Sequence, residues 1–271
     1  YNLDVNNVYR RQSKMDIRDR VYIINQNEAY SISSSNNLES VKEYFFKKEK
    51  VKAFIIKNGP YGATLYTDFN EKFDIPCYKT DNVFKIGSGD IFTSSFGYYW
   101  LIKNLSLNNS ALKASQSTAL YCAKKVFVDC SEIEDFRYET FNANNLSDKQ
   151  VYLASPFFSL SDLVLVDKIR NALLAFGVKV FSPFHDIGLG DDMDIAKKDL
   201  DGIEKSDIVF TVLDNMDSGT LIESGFSMAS NKKIIGYHRT CNENQLLMLK
   251  PGKFKTYDNL TTALYQTIWN I

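Results

Sequence analysis

From residue 151 onward, short β-branched apolar runs alternate with longer stretches of helical spacing, and this rhythm constrains the fold more than any other feature. The runs at 151–153, 178–181, 207–213 and 233–237 are short and bounded by Gly, Pro, Ser or Asp, as strands are. Helical spacing marks 161–176, 194–205, 219–230 and 258–269. Strands separated by a helix have enough chain between them to cross over and pair in parallel. The expectation is an α/β domain with a mostly parallel sheet. In such sheets ligands bind beyond the carboxyl ends of the strands, and the distinctive polar residues of this half fall there.

The first half is also α/β in pattern. Apolar runs at 21–24, 53–57 and 63–66 read as strands, and Gly59, Pro60 and Gly62 make a turn between the last two. Leu38, Val41 and Phe45 give 37–50 a helical spacing; further helices are expected from Gly89 through the Trp100 region and over 110–124. Residues 129–149 are polar and acid-rich, with Asn142, Asn144 and Asn145 and no apolar period. The expected organisation is a module over 1–130, a linker over 131–149 and a second domain over 150–271.

Composition narrows the function classes. Hydrophobic residues at 44% and charged residues at 24% suit a packed core. A net charge of −1 provides no global field toward nucleic acid or an anionic membrane. The four cysteines, Cys77, Cys122, Cys130 and Cys241, form no C-x-x-C pair, and with two histidines no metal site is expected. Scattered single cysteines fit a reducing compartment, so a cytoplasmic location is expected. No run is long enough to span a membrane. The sequence opens on Tyr1 rather than Met, which suggests a fragment or a missing start.

Four places in the second half carry the candidate chemistry. Tyr152 lies on the first strand, followed by Ala154-Ser155-Pro156-Phe157. Ser182-Pro183-Phe184-His185-Asp186 and Gly188-Leu189-Gly190 follow the second strand; His185 is taken as a loop residue and the glycine pair as a flexible loop. Asp199 sits in a helix, in Lys198-Asp199-Leu200-Asp201-Gly202-Ile203. Asp217-Ser218 ends a loop, Gly219 opens a helix, and Glu223 lies about a turn into it. A carboxylate near a helix N-terminus is expected to be held ionised by the dipole, as a glycosyl nucleophile requires. Asp199 supplies a second carboxyl that can divide the roles of nucleophile and acid. The plain alternatives are an Asp217 helix cap, solvated acids at 199 and 223, and a core tyrosine at 152.

The ordered set Tyr-Leu-Ala-x-Pro-Phe, Ser-Pro-x-x-Asp, Asp-x-x-Gly-Ile and Asp-Ser-Gly-Thr-x-x-Glu-x-Gly resembles the nucleoside 2-deoxyribosyltransferase family over nearly all of 150–238. The resemblance implies a flavodoxin-like, five-stranded domain acting on the N-glycosidic bond of deoxyribosides. It implies Glu223 as nucleophile through a covalent glycosyl intermediate, Asp199 as the acid that protonates the departing base, Asp217 as the residue orienting base or sugar, and Tyr152 as the tyrosine positioning the nucleophile. Pro156, Phe157, Ser218 and Gly219 would line the substrate. The family often completes its site from a neighbouring subunit near an Asn-x-Met sequence; here the region reads Asn244-Gln245-Leu246-Leu247-Met248, which assigns Met248 at a different spacing.

In the first half, Gly87-Ser88-Gly89-Asp90 reads as a loop entering a helix, where backbone amides can converge on an anion. With Leu3-Asp4-Val5-Asn6, Arg10, Asn27-Glu28 and Lys57-Asn58-Gly59-x-x-Gly62 in order before it, this resembles the C-terminal half of a ribokinase-like (PfkB) carbohydrate kinase over about 1–128. The resemblance implies a partial ribokinase-like α/β domain with Gly87, Ser88 and Gly89 as anion hole and Asp90 as catalytic base. Asn27 and Glu28 would lie in the metal-phosphate region and Lys57 to Gly62 near the nucleotide, with ATP and Mg as cofactors if that half is intact. Phe84-Lys85 stand where the family has Asp-Thr, and nothing matches the family's N-terminal half, so the expectation is either a piece of a longer protein or a remnant used for binding or assembly.

The leading expectation is an N-glycosidic enzyme acting on a nucleoside, nucleotide or NAD, with transfer to another base or to water left open and no cofactor for that half. The acidic residues Asp191, Asp192 and Asp194 favour an uncharged sugar 5′ end. Some relatives of the fold are effectors of bacterial antiphage systems of the retron type, which keeps NAD or nucleotide cleavage open. A non-catalytic nucleotide sensor or scaffold, or a sugar kinase, are the rivals from other classes. A homo-oligomer, a larger complex and no membrane association are expected.

Overall fold

A computed structural model describes residues 20–126, 133–134, 136–142, 146–188, 193–242, 244–249 and 253–271. Leu3 to Asn6, Arg10, Cys130, Asn144, Asn145 and Leu189 to Asp192 lie outside the described residues. Contacts divide the chain into two compact units. One holds residues 1–78, 87–121 and 126–140; the other holds 79–86, 122–125 and 141–271.

The first unit is built on a four-stranded sheet in the order β1-β2-β3-β4: Val21–Asn25, Ala53–Lys57, Ala63–Tyr66 and Lys72–Ile75. β1 and β2 are parallel, in register from Val21↔Ala53 to Asn25↔Lys57, and β3 and β4 follow antiparallel. Between β1 and β2 run α1 (Gln26–Ser33), α2 (Leu38–Glu43) and a π-helical turn, Tyr44–Lys48. β2 reads Ala-Phe-Ile-Ile because both its faces are covered. Ala53 and Ile55 join Leu65, Ile75, Phe92 and Phe96 in one core. Phe54 and Ile56 join Val41, Phe45 and Tyr66 in the other. α3 (Ser88–Gly97), a second π-helical turn (Tyr98–Ile102) and α4 (Leu107–Lys124) complete the unit.

Two elements of this unit fall outside the sequence expectation. α1 has no clear apolar period; a capping box starts it, in which Asn25 Oδ1 accepts from the Glu28 amide at 2.8 Å and Glu28 Oε2 accepts from the Asn25 amide at 2.7 Å. β4 is an edge strand, Lys-Phe-Asp-Ile, and polar residues at an edge hide the strand period. Within the expected linker range, Ile133 packs with Tyr99 and Leu120, and Tyr78 bridges Thr140.

The second unit holds a five-stranded parallel sheet in the order β6-β5-β7-β8-β9. Along the chain come β5 (Gln150–Ala154), α5 (Leu160–Ala175), β6 (Lys179–Phe181), the single turn α6 (Pro183–Asp186), α7 (Met193–Lys205), β7 (Ile208–Val212), α8 (Ser218–Ala229), β8 (Lys233–Tyr237), β9 (Phe254–Tyr257) and α9 (Leu260–Asn270). The chain winds first to one side of β5 and then to the other. The topological switch point, where crevices open in such sheets, therefore lies between β5 and β7. Elements expected from the sequence recur here with ends shifted by at most two residues. β9, a short Phe-Lys-Thr-Tyr edge strand, falls outside the expectation.

Residues 79–86 are built into this unit along α9. Gln266 Nε2 donates to the Thr80 carbonyl at 2.7 Å, and the Val83 amide donates to Thr262 Oγ1 at 3.0 Å. Thr262 and Gln266 are buried, and their polar groups answer main-chain groups that would otherwise be stranded. Replacing Gln266 with Leu removes the donor from the Thr80 carbonyl. We expect a loss of about 1–3 kcal/mol in urea unfolding at unchanged m-value; an unaltered midpoint would show that this bond contributes nothing.

Candidate active site

The site begins with a buried phenol. Tyr152, on β5, is fully buried; its ring stacks on Phe181 at 5.6 Å and it packs with Ile203, Val209 and Leu213. A buried tyrosine hydroxyl needs a partner, and this one donates to Glu223 Oε1 at 2.8 Å. Burial, with the negative charge of Glu223 beside it, pushes the phenol far above its ordinary range, so it remains a donor.

Glu223 lies in the second turn of α8. The helix starts at Asp217, whose Oδ2 accepts from the Thr220 amide at 2.9 Å and from Thr220 Oγ1 at 3.0 Å. The buried Thr211 and Ser224 hydroxyls meet at 3.1 Å, seating α8 on β7 beside the glutamate. Burial pushes the Glu223 carboxyl up to about 7, the charges of Asp199 and Asp217 add to the rise, and the Tyr152 hydrogen bond pulls the other way. The sequence expectation that the helix dipole holds this carboxylate ionised is therefore corrected. The dipole fades within the first turn, where Asp217 sits as the cap, and desolvation dominates at Glu223.

Asp199 comes from α7. Burial raises its carboxyl, and its Oδ1 is buried with no hydrogen-bond partner among the described residues. Three residues on, Gly202 lies against the Phe181 ring, and a Cβ there would come within 2.6 Å of it. Ile203 then enters the core. Asp-x-x-Gly-Ile thus encodes a carboxyl, a close helix–strand contact and a core anchor on successive turns. Mutual electrostatic influence puts Glu223, Asp199, Asp217 and Tyr152 in one neighbourhood. They come from three segments beside the switch point: β5, α7 and the start of α8.

The other candidates are placed as follows. Pro156 is buried and Phe157 half-buried, with Phe184 at 5.7 Å and Phe158 at 5.0 Å from Phe157. Ser218 and Gly219 are exposed at the start of α8. Met248 is 81% exposed on the turn Leu247–Leu249, while Leu246 and Leu249 on either side are in the core. His185 joins a chain in which Nδ1 meets Ser182 Oγ at 3.0 Å and Nε2 meets Asp167 Oδ1 at 2.8 Å.

The sequence reading missed Asp214 and Arg239. Asp214, just beyond β7, accepts from the Arg239 amide at 2.8 Å and from its Nε at 2.6 Å. Only the spatial meeting of β7 and β8 joins two residues that look like ordinary loop polars.

In the first unit, Gly87 caps α3 at φ 84°, where a Cβ would lie 2.5 Å from the Tyr121 hydroxyl. Ser88 opens the helix, Lys57 Nζ lies 3.0 Å from the Cβ position of Gly89, and Asp90 is exposed in the first turn. Glu28 is committed to its capping box. Asn27 lines a surface hollow of about 450 Å³ with Tyr30, Ser31, Ser34, Ser35 and Asn36. Among the described residues, no group of three or more His, Cys, Asp or Glu is arranged to hold a metal, and no helix is long and apolar enough to cross a membrane.

Residues 151–260 match the family model for nucleoside 2-deoxyribosyltransferase, and residues 15–133 match that for pfkB family carbohydrate kinase. Among solved structures, similarity is found to a 2-deoxyribosyltransferase from Bacillus psychrosaccharolyticus, 28% identical over 41% of this chain and 87% of that one, with a TM-score of 0.36. A second is the 2-deoxyribosyltransferase from Leishmania mexicana, 19% identical over 44% of this chain and 97% of that one, TM-score 0.38. A third is ribokinase from Thermotoga maritima, 23% identical over 43% of this chain and 41% of that one, TM-score 0.38. The chain therefore spans less than half of that ribokinase. The curated proteins yielded no match. The second unit carries a nucleoside 2-deoxyribosyltransferase-like domain, which supports N-glycosyl transfer at the level of the family, and the first carries a partial ribokinase-like domain.

Glu223 provides a stability test. Its carboxyl is raised from 4.5 to about 7 in the folded chain. The stabilisation from binding that proton is full below 4.5 and is lost as pH rises through about 7. Glu223→Gln, neutral and of similar shape, is expected to be roughly 1–3 kcal/mol more stable than the wild type at pH 8 and equal to it at pH 4. Thermal melts at the two pH values decide; equal effects at both would rule out the buried, raised carboxyl.

Proposed function

We propose that the second unit breaks the N-glycosidic bond of a (deoxy)nucleoside by covalent glycosyl transfer through Glu223. The observation that carries this reading is the Tyr152–Glu223 hydrogen bond, with the charges of Asp199 and Asp217 acting on the same glutamate. Ionised Glu223 attacks the anomeric carbon as the bond from that carbon to the base nitrogen breaks. The bonding pair leaves with the base, which takes the proton held by Asp199. A second base, or water, then attacks the anomeric carbon, the bond to Glu223 breaks and its carboxylate is restored. The incoming nucleophile gives its proton to Asp199, which closes the cycle.

Each residue has a physical reason for its part. Burial favours the protonated form of Asp199, so it carries the proton that the base requires. Tyr152 donates to Glu223 and stabilises the charged form that attacks. Asp217, with Ser218 and Gly219, would orient the sugar from the start of α8. The aromatic pair Phe157 and Phe184 gives a flat apolar surface suited to a base. No step passes through the Gly87 to Asp90 loop.

The test is to incubate the chain with deoxyinosine and adenine, and separately with NAD, and to separate bases and nucleosides by chromatography. We expect hypoxanthine release with formation of deoxyadenosine, abolished in Glu223→Ala and lowered on the order of a hundredfold in Asp199→Asn. Tyr152→Phe should move the acid limb of the kcat/KM profile to higher pH, because the bond that lowers the Glu223 pKa is gone. Free base without a new nucleoside would assign hydrolysis, and release from NAD alone would assign that substrate. No base from any riboside would end the proposal.

A further inference from the structure

An ion pair beside the site, between the buried Asp214 and the exposed Arg239, has no part in the reaction described above, and the turn it braces leads directly to Asp217. Asp214 is 2% exposed and uses both carboxylate oxygens on one residue. Oδ1 accepts from the Arg239 amide at 2.8 Å and Oδ2 accepts from Arg239 Nε at 2.6 Å. The Leu213 amide donates to the Tyr237 carbonyl at 2.8 Å, so the exits of β7 and β8 are pinned together by three bonds. Cys241 Sγ adds contacts to the Leu213 carbonyl at 3.2 Å and to Met216 Sδ at 3.8 Å.

The segment braced in this way is strained. Asn215 at φ 62° and Met216 at φ 48° are consecutive non-glycine residues in the left-handed region. Asparagine tolerates that region, but methionine has no side-chain hydrogen bond to favour it. Such a turn persists only where its surroundings over-determine it. Asp217 follows immediately, leaving the left-handed region to cap α8. The direction of its carboxylate depends on where this turn ends.

An ion pair with its cation 47% exposed is weak evidence for net stability, because solvent screens its attraction, but its bonds are directional. We propose that Asp214 and Arg239 are positioning residues: their pairing holds the Asn215–Met216 turn, and through it Asp217, in the geometry that the glycosyl site uses. The inference rests on the reading of Glu223 as nucleophile, since only that reading gives Asp217 a substrate to orient.

The experiment uses the full chain with deoxyinosine and adenine, and the variants Asp214→Asn, Arg239→Gln, Arg239→Lys and the Asp214→Asn/Arg239→Gln double. Far-UV circular dichroism and thermal melts identify those that are folded. Amide hydrogen exchange over residues 215–220 is measured on every folded form. We expect Asp214→Asn and Arg239→Gln each to lower kcat/KM on the order of tenfold to a hundredfold, mostly in kcat. Arg239→Lys should recover part of the loss, and the double variant should be no worse than the poorer single, as for residues acting as one unit. Exchange over 215–220 should rise at least tenfold in the variants while the rest of α8 keeps its protection.

Folded variants with kcat/KM within twofold of wild type, or losses that add in the double, would overturn the clamp. If the wild-type chain releases no base, the glycosyl reading fails by itself, and the exchange data then judge the clamp: faster exchange confined to 215–220 supports it, and unchanged exchange overturns it. Should every variant at 214 and 239 fail to fold, the pair serves stability and the positioning role is refuted.

Discussion

The second unit is organised around one hydrogen bond, from the buried Tyr152 phenol to Glu223. A carboxylate removed from water loses several kcal/mol of hydration and answers by taking up a proton. Burial does that here and pushes Glu223 up to about 7, while the phenol stabilises the charged form and limits the rise. The carboxyl is left balanced near neutrality. Without the phenol it would be a neutral acid in a dry crevice; without the burial it would be a stable, unreactive carboxylate. Tyr152 can make this bond because β5 is an interior strand bordering the switch point and the tyrosine packs with residues of α7 and α8.

The packing around this bond accounts for much of the local sequence. Gly202 lets α7 approach the Phe181 ring, which itself stacks on Tyr152, so the helix carrying Asp199 is held against the same aromatic pair that fixes the phenol. Thr211 and Ser224 satisfy one another where β7 meets α8, allowing polar residues in a contact with no water. Asp217 is at once the helix cap and a charge acting on Glu223, so the cap does not compete with the proposed site role.

Much of this was legible in the sequence, for identifiable reasons. The strands at Ala53–Lys57, Ala63–Tyr66 and Lys233–Tyr237 were readable to the residue, because β-branched runs there end against Gly, Pro, Asn or Lys. Lys72–Ile75 and Phe254–Tyr257 were not, because edge strands carry polar residues that break the apolar run. α1 was hidden because reciprocal cap bonds, not an apolar stripe, start it. Glu223, Asp199, Asp217 and Tyr152 could be singled out by residue type and motif order, yet nothing local to Glu223 told that desolvation would outweigh the dipole. Asp214 and Arg239 stayed invisible because their pairing exists only once β7 and β8 are neighbours.

The same electrostatics bear on how the proposed site would serve both halves of a glycosyl transfer. Three carboxyls in mutual influence cannot all be charged at low cost, so a proton held among them is the cheaper state near neutrality. Glu223 has a donor to support its charge, whereas the buried Oδ1 of Asp199 has none among the described residues. In the reaction proposed above, the Tyr152 bond would support charge on Glu223 and the unpartnered Oδ1 would disfavour charge on Asp199, the division that a departing base and an attacked anomeric carbon demand. In the proposed reaction, loss of the proton from Asp199 would increase the repulsion on Glu223 just as the carboxylate becomes an ester and loses its charge. Each step relieves the cost of the one before it. On this account the direction of proton flow would follow from the unequal hydrogen bonding of the two carboxyls, with Asp217 adding negative charge beside Glu223.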